Sequence, residues 1–172
     1  MSSGAVAVEQ MRHSDLDVLL NADGGVWWQR DRDVWLERLK AQDEGRMHLS
    51  LARQDGKIVG YGYLKFASAY DRFAMFDIPE IGDLRVAERC RGRGIATQMI
   101  RYLENIAATR GAGEIGLAVG LYADYGSAQR LYVRLGYVPD GRGLTYQNEP
   151  APAGNSVRVD DDLTLWLVKS LP

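Results

Sequence analysis

Arg89-Cys90-Arg91-Gly92-Arg93-Gly94-Ile95-Ala96 joins two segments of different periodicity. Residues 81–86 before it read as a strand, and residues 95–108 after it set Ile95, Met99, Leu103 and Ile106 on one stripe at helical spacing. A strand that enters a helix through glycines lets several backbone N–H groups converge where the helix dipole already favours an anion. Side chains at those positions would hold a ligand off the backbone, and the flanking arginines add positive charge. The segment therefore reads as a phosphate site, against the plainer alternative of a glycine turn with solvated arginines. A Rossmann turn would need G-x-G-x-x-G and an acidic residue on the next strand, and a P-loop would need G-x-x-x-x-G-K-[ST]. Neither pattern is present.

Upstream, residues 5–11 alternate as a first strand, and Ser14, Asp15 and Asp17 open a short helix running to about Asn21. Residues 31–42, with Val34, Leu36, Leu39 and Ala41 among charges, predict a second amphipathic helix. Residues 47–53 and 57–66 flank Gln54-Asp55-Gly56, a hairpin signal. Downstream, residues 114–119 form a short apolar strand. A helix follows with Ala128, Leu131, Tyr132 and Leu135 on its stripe and Gly136 as C-cap. Residues 137–146 and 163–168 predict terminal strands joined by the Pro, Gly and Asn of residues 149–156. There is no repeat or low-complexity tract, and residues 1–172 are expected to form a single domain.

The composition agrees: 172 residues, 46% hydrophobic and 26% charged, is a globular balance. A net charge of -2 argues against an extended nucleic-acid surface and leaves small anions as the better partners for the arginines. A lone Cys90 forms no internal disulfide, residues 1–12 lack a signal-like core, and no stretch is long and apolar enough to cross a bilayer. A cytoplasmic protein without membrane partners is the expectation. His13 and His48 match no metal-ligand spacing, so no metal is expected. Asp160-Asp161-Asp162 could attract a cationic amine or be a solvated face.

The glycine segment resembles the cofactor motif of the GNAT superfamily of acetyl-CoA-dependent N-acetyltransferases, Gln/Arg-x-x-Gly-x-Gly/Ala. Arg91-Gly92-Arg93-Gly94-Ile95-Ala96 fits it fully. A second register, residues 89–94, fits as well. Val86, five residues before Arg91, has the spacing of the family's strand-end Val and favours the first register. Glu88 and Cys90 depart from the proline and aromatic residue often found there. The family's next helix often reads N-x-x-A-x-x-x-Y and closes on Gly-Phe/Tyr. Here Tyr125 stands where the Asn is expected, while Ala128, Tyr132 and Gly136-Tyr137 are kept.

What the resemblance implies is an α/β (α+β) fold, a mixed, strongly twisted central sheet flanked by helices. In the family, strands four and five splay into a wedge for acetyl-CoA, the acetyl donor. Arg91, Gly92, Arg93, Gly94, Ile95 and Ala96, with Thr97, would hold the pyrophosphate; Leu84, Arg85 and Val86 would pair with the pantetheine amides through backbone groups. Tyr125 would border the pantetheine arm. An amine of pKa about 10.4 must lose a proton before attack. Glu80, at the position used by lysine-acetylating members, is the leading base, with Asp83 and Asp77 as competitors and a solvated strand-end carboxylate as the alternative. Tyr132 matches the tyrosine that protonates the leaving thiolate, yet it also lies on the buried stripe. Trp27, Trp28, Tyr70 and Asp83 are candidate acceptor contacts, and Arg72 and Phe73 belong to the same aromatic, charged connection as Tyr70. The amine acceptor is unassigned and a homodimer stays open. The rival from another class is an acyl-CoA-binding regulatory module without turnover.

Overall fold

The computed structural model describes residues 4–21 and 31–172. Trp27 and Trp28 lie outside the described residues. In chain order the elements are β1 (Val6–Gln10), a 3-10 turn (His13–Asp15), α1 (Leu16–Leu20), α2 (Arg32–Asp43), β2 (Met47–Gln54), β3 (Lys57–Lys65) and α3 (Asp71–Met75). They continue with β4 (Glu80–Val86), a 3-10 turn (Glu88–Cys90), α4 (Ile95–Thr109), β5 (Glu114–Gly120), a 3-10 turn (Ala123–Tyr125), α5 (Gly126–Arg134), β6 (Val138–Tyr146), β7 (Glu149–Pro150) and β8 (Leu163–Ser170). The strands form one sheet of hydrogen-bonded order β1-β2-β3-β4-β5-β8-β6-β7. It is mixed: β4 and β5 are parallel, whereas β1–β2, β2–β3, β5–β8, β8–β6 and β6–β7 are antiparallel. This is the mixed α/β sheet with flanking helices that the sequence predicts.

Two compact units divide the chain. The first comprises the described residues up to Lys65 together with Gly82–Asn105. Its β2–β3 hairpin turns through Asp55 at φ 51° and Gly56 at φ 76°, the paired left-handed residues that match the twist of the strands. Met11, Leu16, Leu19, Trp35, Leu39, Leu49, Leu51, Ile58 and Tyr61 pack into one apolar cluster. On α2 Leu39 and Ala41 are buried as expected and Trp35 joins them, whereas Leu36 is 45% exposed and Val34 only half-buried. The indole of Trp35 is therefore the residue that sets the helix's rotation. A second cluster joins Val59, Val86, Ala87 and Cys90 to Ile95 and Met99 of α4, so the segment after β4 is anchored on both sides. Each fully buried Leu, Ile or Met in these clusters contributes roughly 1.5–3 kcal/mol.

The second unit comprises Phe66–Ile81 and Ile106–Pro172. Its core is aromatic: Tyr70 stacks on Trp166 with centroids 4.2 Å apart and planes 4° from parallel, while Phe73 meets both edge-on. Residues 71–75, expected as a connection, form helix α3 because Phe73 must turn inward to reach Trp166. The two-residue β7, also unanticipated, pairs with the end of β6 at Thr145↔Pro150 and Tyr146↔Glu149. α5 closes as expected, with Gly136 at φ 89° and the Tyr137 N–H donating to the Tyr132 carbonyl at 3.0 Å.

Gly116 sits under the Phe73 ring: a Cβ there would lie 2.1 Å from ring carbon Cζ and 3.0 Å from the Leu167 carbonyl oxygen. Valine is otherwise well suited to a strand, but at this site it overpacks an aromatic core that has nowhere to move. Gly116→Val should lose about 1–3 kcal/mol of stability in urea denaturation. An unchanged midpoint would show that Phe73 can leave its place against Trp166 at no cost.

Candidate functional site

In the first unit, the glycine turn has the backbone conformation its sequence requires. Gly92 and Gly94 stand at φ 74° and 79°, values that side-chain-bearing residues seldom adopt, and the space where a Cβ would project is open at both. No N–H of Gly92, Arg93 or Gly94 is donated to another described residue. Helix α4 begins at Ile95, and its first hydrogen bond runs from the Gln98 N–H to the Gly94 carbonyl at 3.0 Å. The amides of Ile95, Ala96 and Thr97 thus have no helical acceptor. Six consecutive donors from Gly92 to Thr97 are available at the positive end of a 15-residue helix. Arg91 turns back, its Nε 3.3 Å from the Val86 carbonyl, which ties the turn to the end of β4. Cys90 is buried and unbonded to any other sulfur, a packing residue of the turn.

Strand β4 leads into this turn. Its ladder with β5 consists of Glu80↔Gly116 and Ile81↔Leu117. Immediately beyond, Asp83 has a left-handed φ of 47°. The carboxylate of Asp83 is almost fully buried, bonded to Arg38 of α2 at 2.8 Å and to Arg85 at 3.1 Å. Arg38 is itself held between the Trp35 and Tyr63 rings, 4.9 Å from each centroid. Its Nη1 and the indole Nε1 of Trp35 are buried without a hydrogen-bond partner. Leu84 lies against Gly62 and the Arg85 carbonyl against Gly60, each too close for a Cβ on the facing glycine without a shift. The two glycines of β3 therefore bring its backbone close to Leu84, Arg85 and Val86.

In the second unit, Glu80 opens β4 half-buried. Ser68 donates its hydroxyl to Glu80 Oε2 at 2.6 Å, and the Tyr70 N–H donates to Ser68 Oγ at 3.0 Å. Tyr70 itself is 4% exposed and its hydroxyl donates to Asp140 at 2.7 Å. Burial, then the hydrogen bond and the charge of Asp140, push its phenol up to about 12. Arg72 donates to the Asp140 carbonyl at 3.4 Å. Asp77 is exposed at φ 51° in the turn before β4 and lines a small cavity with Phe66, Pro79 and Arg110.

Helix α5 supplies the remaining candidates. Tyr132 is 9% exposed, packs edge-on to Tyr137 with centroids 6.1 Å apart, and its hydroxyl makes no hydrogen bond to another described residue. Burial pushes its phenol up to about 12. Ala128, Leu131 and Leu135, read as a buried stripe with it, are only half-buried. Tyr125 lies with its ring directly on Gly120, where a Cβ would meet Cδ2 at 2.4 Å, and its hydroxyl donates to Asp161 at 3.0 Å. Tyr122 bonds the same carboxylate, and Tyr146 bonds Asp160 at 3.1 Å. The acidic run is thus tied to tyrosines.

Residues 80–86 and 91–97 fall on one strand and the turn and helix start that follow it. Tyr132 and Tyr125 occupy the interior and the start of another helix. Sequence reasoning missed Ser68, Arg38 and Asp140, each of which reveals itself only through a partner at least twelve positions away. Among the described residues no cluster of three His, Cys, Asp or Glu could hold a metal, and no helix is long and apolar enough to cross a membrane.

Several solved acetyltransferases share this architecture. An N-acetyltransferase from Staphylococcus aureus Mu50 superposes with a TM-score of 0.72 at 13% identity, covering 98% of this chain and 100% of that one. The PaiA N-acetyltransferase of Thermoplasma acidophilum in complex with coenzyme A gives 0.68 at 13%, covering 96% and 99%. The ribosomal-protein-alanine N-acetyltransferase of Brucella melitensis gives 0.66 at 19%, covering 96% and 99%. At such identities the likeness is one of fold. No curated protein sequence matches the chain significantly. The model of the Acetyltransferase (GNAT) family matches residues 13–137, a span that contains β4, the glycine turn, α4 and the whole of α5. With that match over most of its length, the chain belongs to the GNAT acetyltransferase family.

Proposed function

We propose that residues 1–172 act as one acetyl-CoA-dependent N-acetyltransferase domain that transfers acetyl directly to a primary amine, on a small or peptide-like acceptor, in a ternary complex. The observation that carries this reading is the row of unspent backbone donors from Gly92 to Thr97 at the start of α4. Such a row suits a pyrophosphate, with Arg91 and Arg93 adding charge alongside it. The coenzyme A in complex with the Thermoplasma enzyme, and the acetyl-CoA with a Salmonella typhimurium acetyltransferase of the same fold, support acetyl-CoA as the donor here. Leu84, Arg85 and Val86 serve the pantetheine amides through backbone groups, and Tyr125 borders that arm with a ring in place of an amide. Of the four candidate acceptor contacts, Asp83 and Tyr70 lie among the described residues. Both are already engaged by partners, so they shape the site more readily than they touch the acceptor.

The chemistry forms one C–N bond, breaks the thioester C–S bond and moves two protons. Glu80 takes the first from the ammonium, directly or through water, freeing the lone pair that attacks. A strand N–H near residues 84–86 stabilises the oxyanion. The second proton, shed by the nitrogen once it is acylated, must reach the departing sulfur. We assign Tyr132 to that step as a hydroxyl donor. With its phenol near 12 and a thiol near 8.5, complete transfer from Tyr132 would be uphill by about 5 kcal/mol. The tyrosine therefore hydrogen-bonds the developing thiolate or relays the nitrogen's proton, and does not end as a phenolate.

Acetyl-CoA should raise the melting temperature, since a ligand that binds only the folded state stabilises it by mass action. Gly94→Val should abolish that rise in a protein that still folds, because it closes open space at a left-handed residue. No rise in the parent protein, or an undiminished one in the variant, would remove the donor assignment. Binding without turnover of any amine would favour the regulatory module instead.

Tyr132→Phe should lower turnover tenfold or more, within or below the usual range for acid–base groups, while acetyl-CoA affinity is kept. The sign of its pH dependence follows from the raised phenol: the hydroxyl stays protonated from neutrality past pH 10 and ionises only near 12. Parent and variant rate profiles should therefore run parallel from pH 7 to 10. A loss of activity near pH 9 that disappears in the Phe variant would contradict this account.

A further inference from the structure

We propose that Ser68 is a positioning residue for Glu80, a role that rests on the reading of Glu80 as the base. Ser68 is 9% exposed and sits in the connection before α3, where the sequence offers no motif. Its hydroxyl has one proton. The oxygen already accepts the Tyr70 N–H at 3.0 Å, so the proton is aimed the other way, onto Glu80 Oε2 at 2.6 Å. An ionised carboxylate can only accept, and a hydroxyl bond to it is among the stronger hydrogen bonds in a protein.

Glu80 carries three single bonds between backbone and carboxylate, and a strand-end glutamate without such a tether would spread over several rotamers. Ser68 selects one. The Ser68 hydroxyl uses one of the roughly four acceptor sites of the carboxylate and restrains its freedom to turn.

Ser68 can do this because it is fixed in turn. Two residues on, Tyr70 is clamped between Trp166, stacked at 4.2 Å, and Phe73, edge-on at 5.2 Å. Its hydroxyl is anchored to Asp140, whose side chain is fully buried and receives the Arg142 N–H at 3.0 Å. The peptide N–H that orients Ser68 therefore belongs to one of the most constrained residues of the unit. The aromatic core of the second unit and the base are linked through one serine oxygen, a support of the kind that keeps a reacting group within a fraction of an ångström of its working position.

The test uses the full chain and two readouts. In the first, Glu80 is observed by the ¹³C resonance of its side-chain carboxylate, identified by its loss in Glu80→Gln. Ser68→Ala should move that resonance at fixed pH and Ser68→Thr, which keeps the hydroxyl, should bring it back. A resonance that stays put in Ser68→Ala overturns the proposal without any acceptor being needed.

In the second, acetyl-CoA turnover is followed by thiol release with whichever of spermidine, N-acetyl-lysine amide or an Ala-initiated tetrapeptide reacts fastest, or with water where none does. Ser68→Ala should lower turnover about tenfold, the scale of one orienting hydrogen bond, with acetyl-CoA affinity unchanged and Ser68→Thr largely restored. In a Glu80→Gln background the same Ser68→Ala change should cost nothing more. An additive loss would mean that Ser68 acts on the fold and not through Glu80. If Glu80→Gln itself turns over at the parent rate, the base reading falls. If Glu80→Gln is slow and Ser68→Ala is not, only the positioning role falls.

Discussion

The ion pair between Asp83 and Arg38 holds strand β4 in the shape on which the candidate site depends. A left-handed φ at a residue with a side chain costs on the order of 1–3 kcal/mol, and aspartate is among the few side chains that tolerate it. The guanidinium of Arg38, lodged between two aromatic rings, meets that carboxylate at 2.8 Å and gives the turn a fixed anchor. The consequence is visible in burial along the strand. Alternation from the buried Ile81 would bury Asp83 and Arg85 and expose Val86, yet Arg85 faces solvent and Val86 is buried. One residue in the left-handed region has reset the phase, so β4 presents Glu80 in one register and delivers Val86 into the cluster that seats the glycine turn in the other.

Close backbone approach is the second constraint, and it falls on glycines outside the motif. Gly60 and Gly62 face the Arg85 carbonyl and Leu84, Gly82 lies beneath the Tyr63 ring, and Gly116 and Gly120 lie beneath Phe73 and Tyr125. In each unit an aromatic ring or a strand backbone occupies the volume that a Cβ would need. The sheet around β4 and β5 is thus built by removing side chains from one partner so that a large one on the other can lie flat.

What was legible in the sequence was what depends on neighbours in the chain. The Asp55-Gly56 hairpin, the strand-to-helix glycine turn and the Gly136 cap are local backbone demands, and each appears with the left-handed φ its residue type announces. The α4 stripe was readable because helical spacing alone places Ile95, Met99 and Leu103 together. Helix α3 was not: its five residues hold one buried side chain, and what folds them is the contact of Phe73 with Trp166, more than ninety positions away. On α2 the sequence showed Leu39 and Ala41 but chose Leu36 over Trp35, since the two are equally apolar as letters and only the packing of Trp35 on Tyr61 at 5.1 Å decides between them. Ser68 and Asp83 belong to the same class, polar residues whose meaning is a distant partner.

The end of β5 shows how a departure from a motif can be absorbed without leaving a gap. An asparagine where Tyr125 stands would offer amide donors and an acceptor to a ligand. Tyr125 offers a ring face over Gly120, and its hydroxyl is spent on Asp161. The Gly120 carbonyl, which an amide could have bonded, is taken by Gln129 Nε2 at 2.8 Å from the next turn of α5. The Tyr125 hydroxyl and the Gly120 carbonyl thus each have a partner within the unit, and what lies over Gly120 is an aromatic ring. On the proposed reading, a pantetheine arm bordered by Tyr125 would meet a π face where the family's asparagine offers a hydrogen bond.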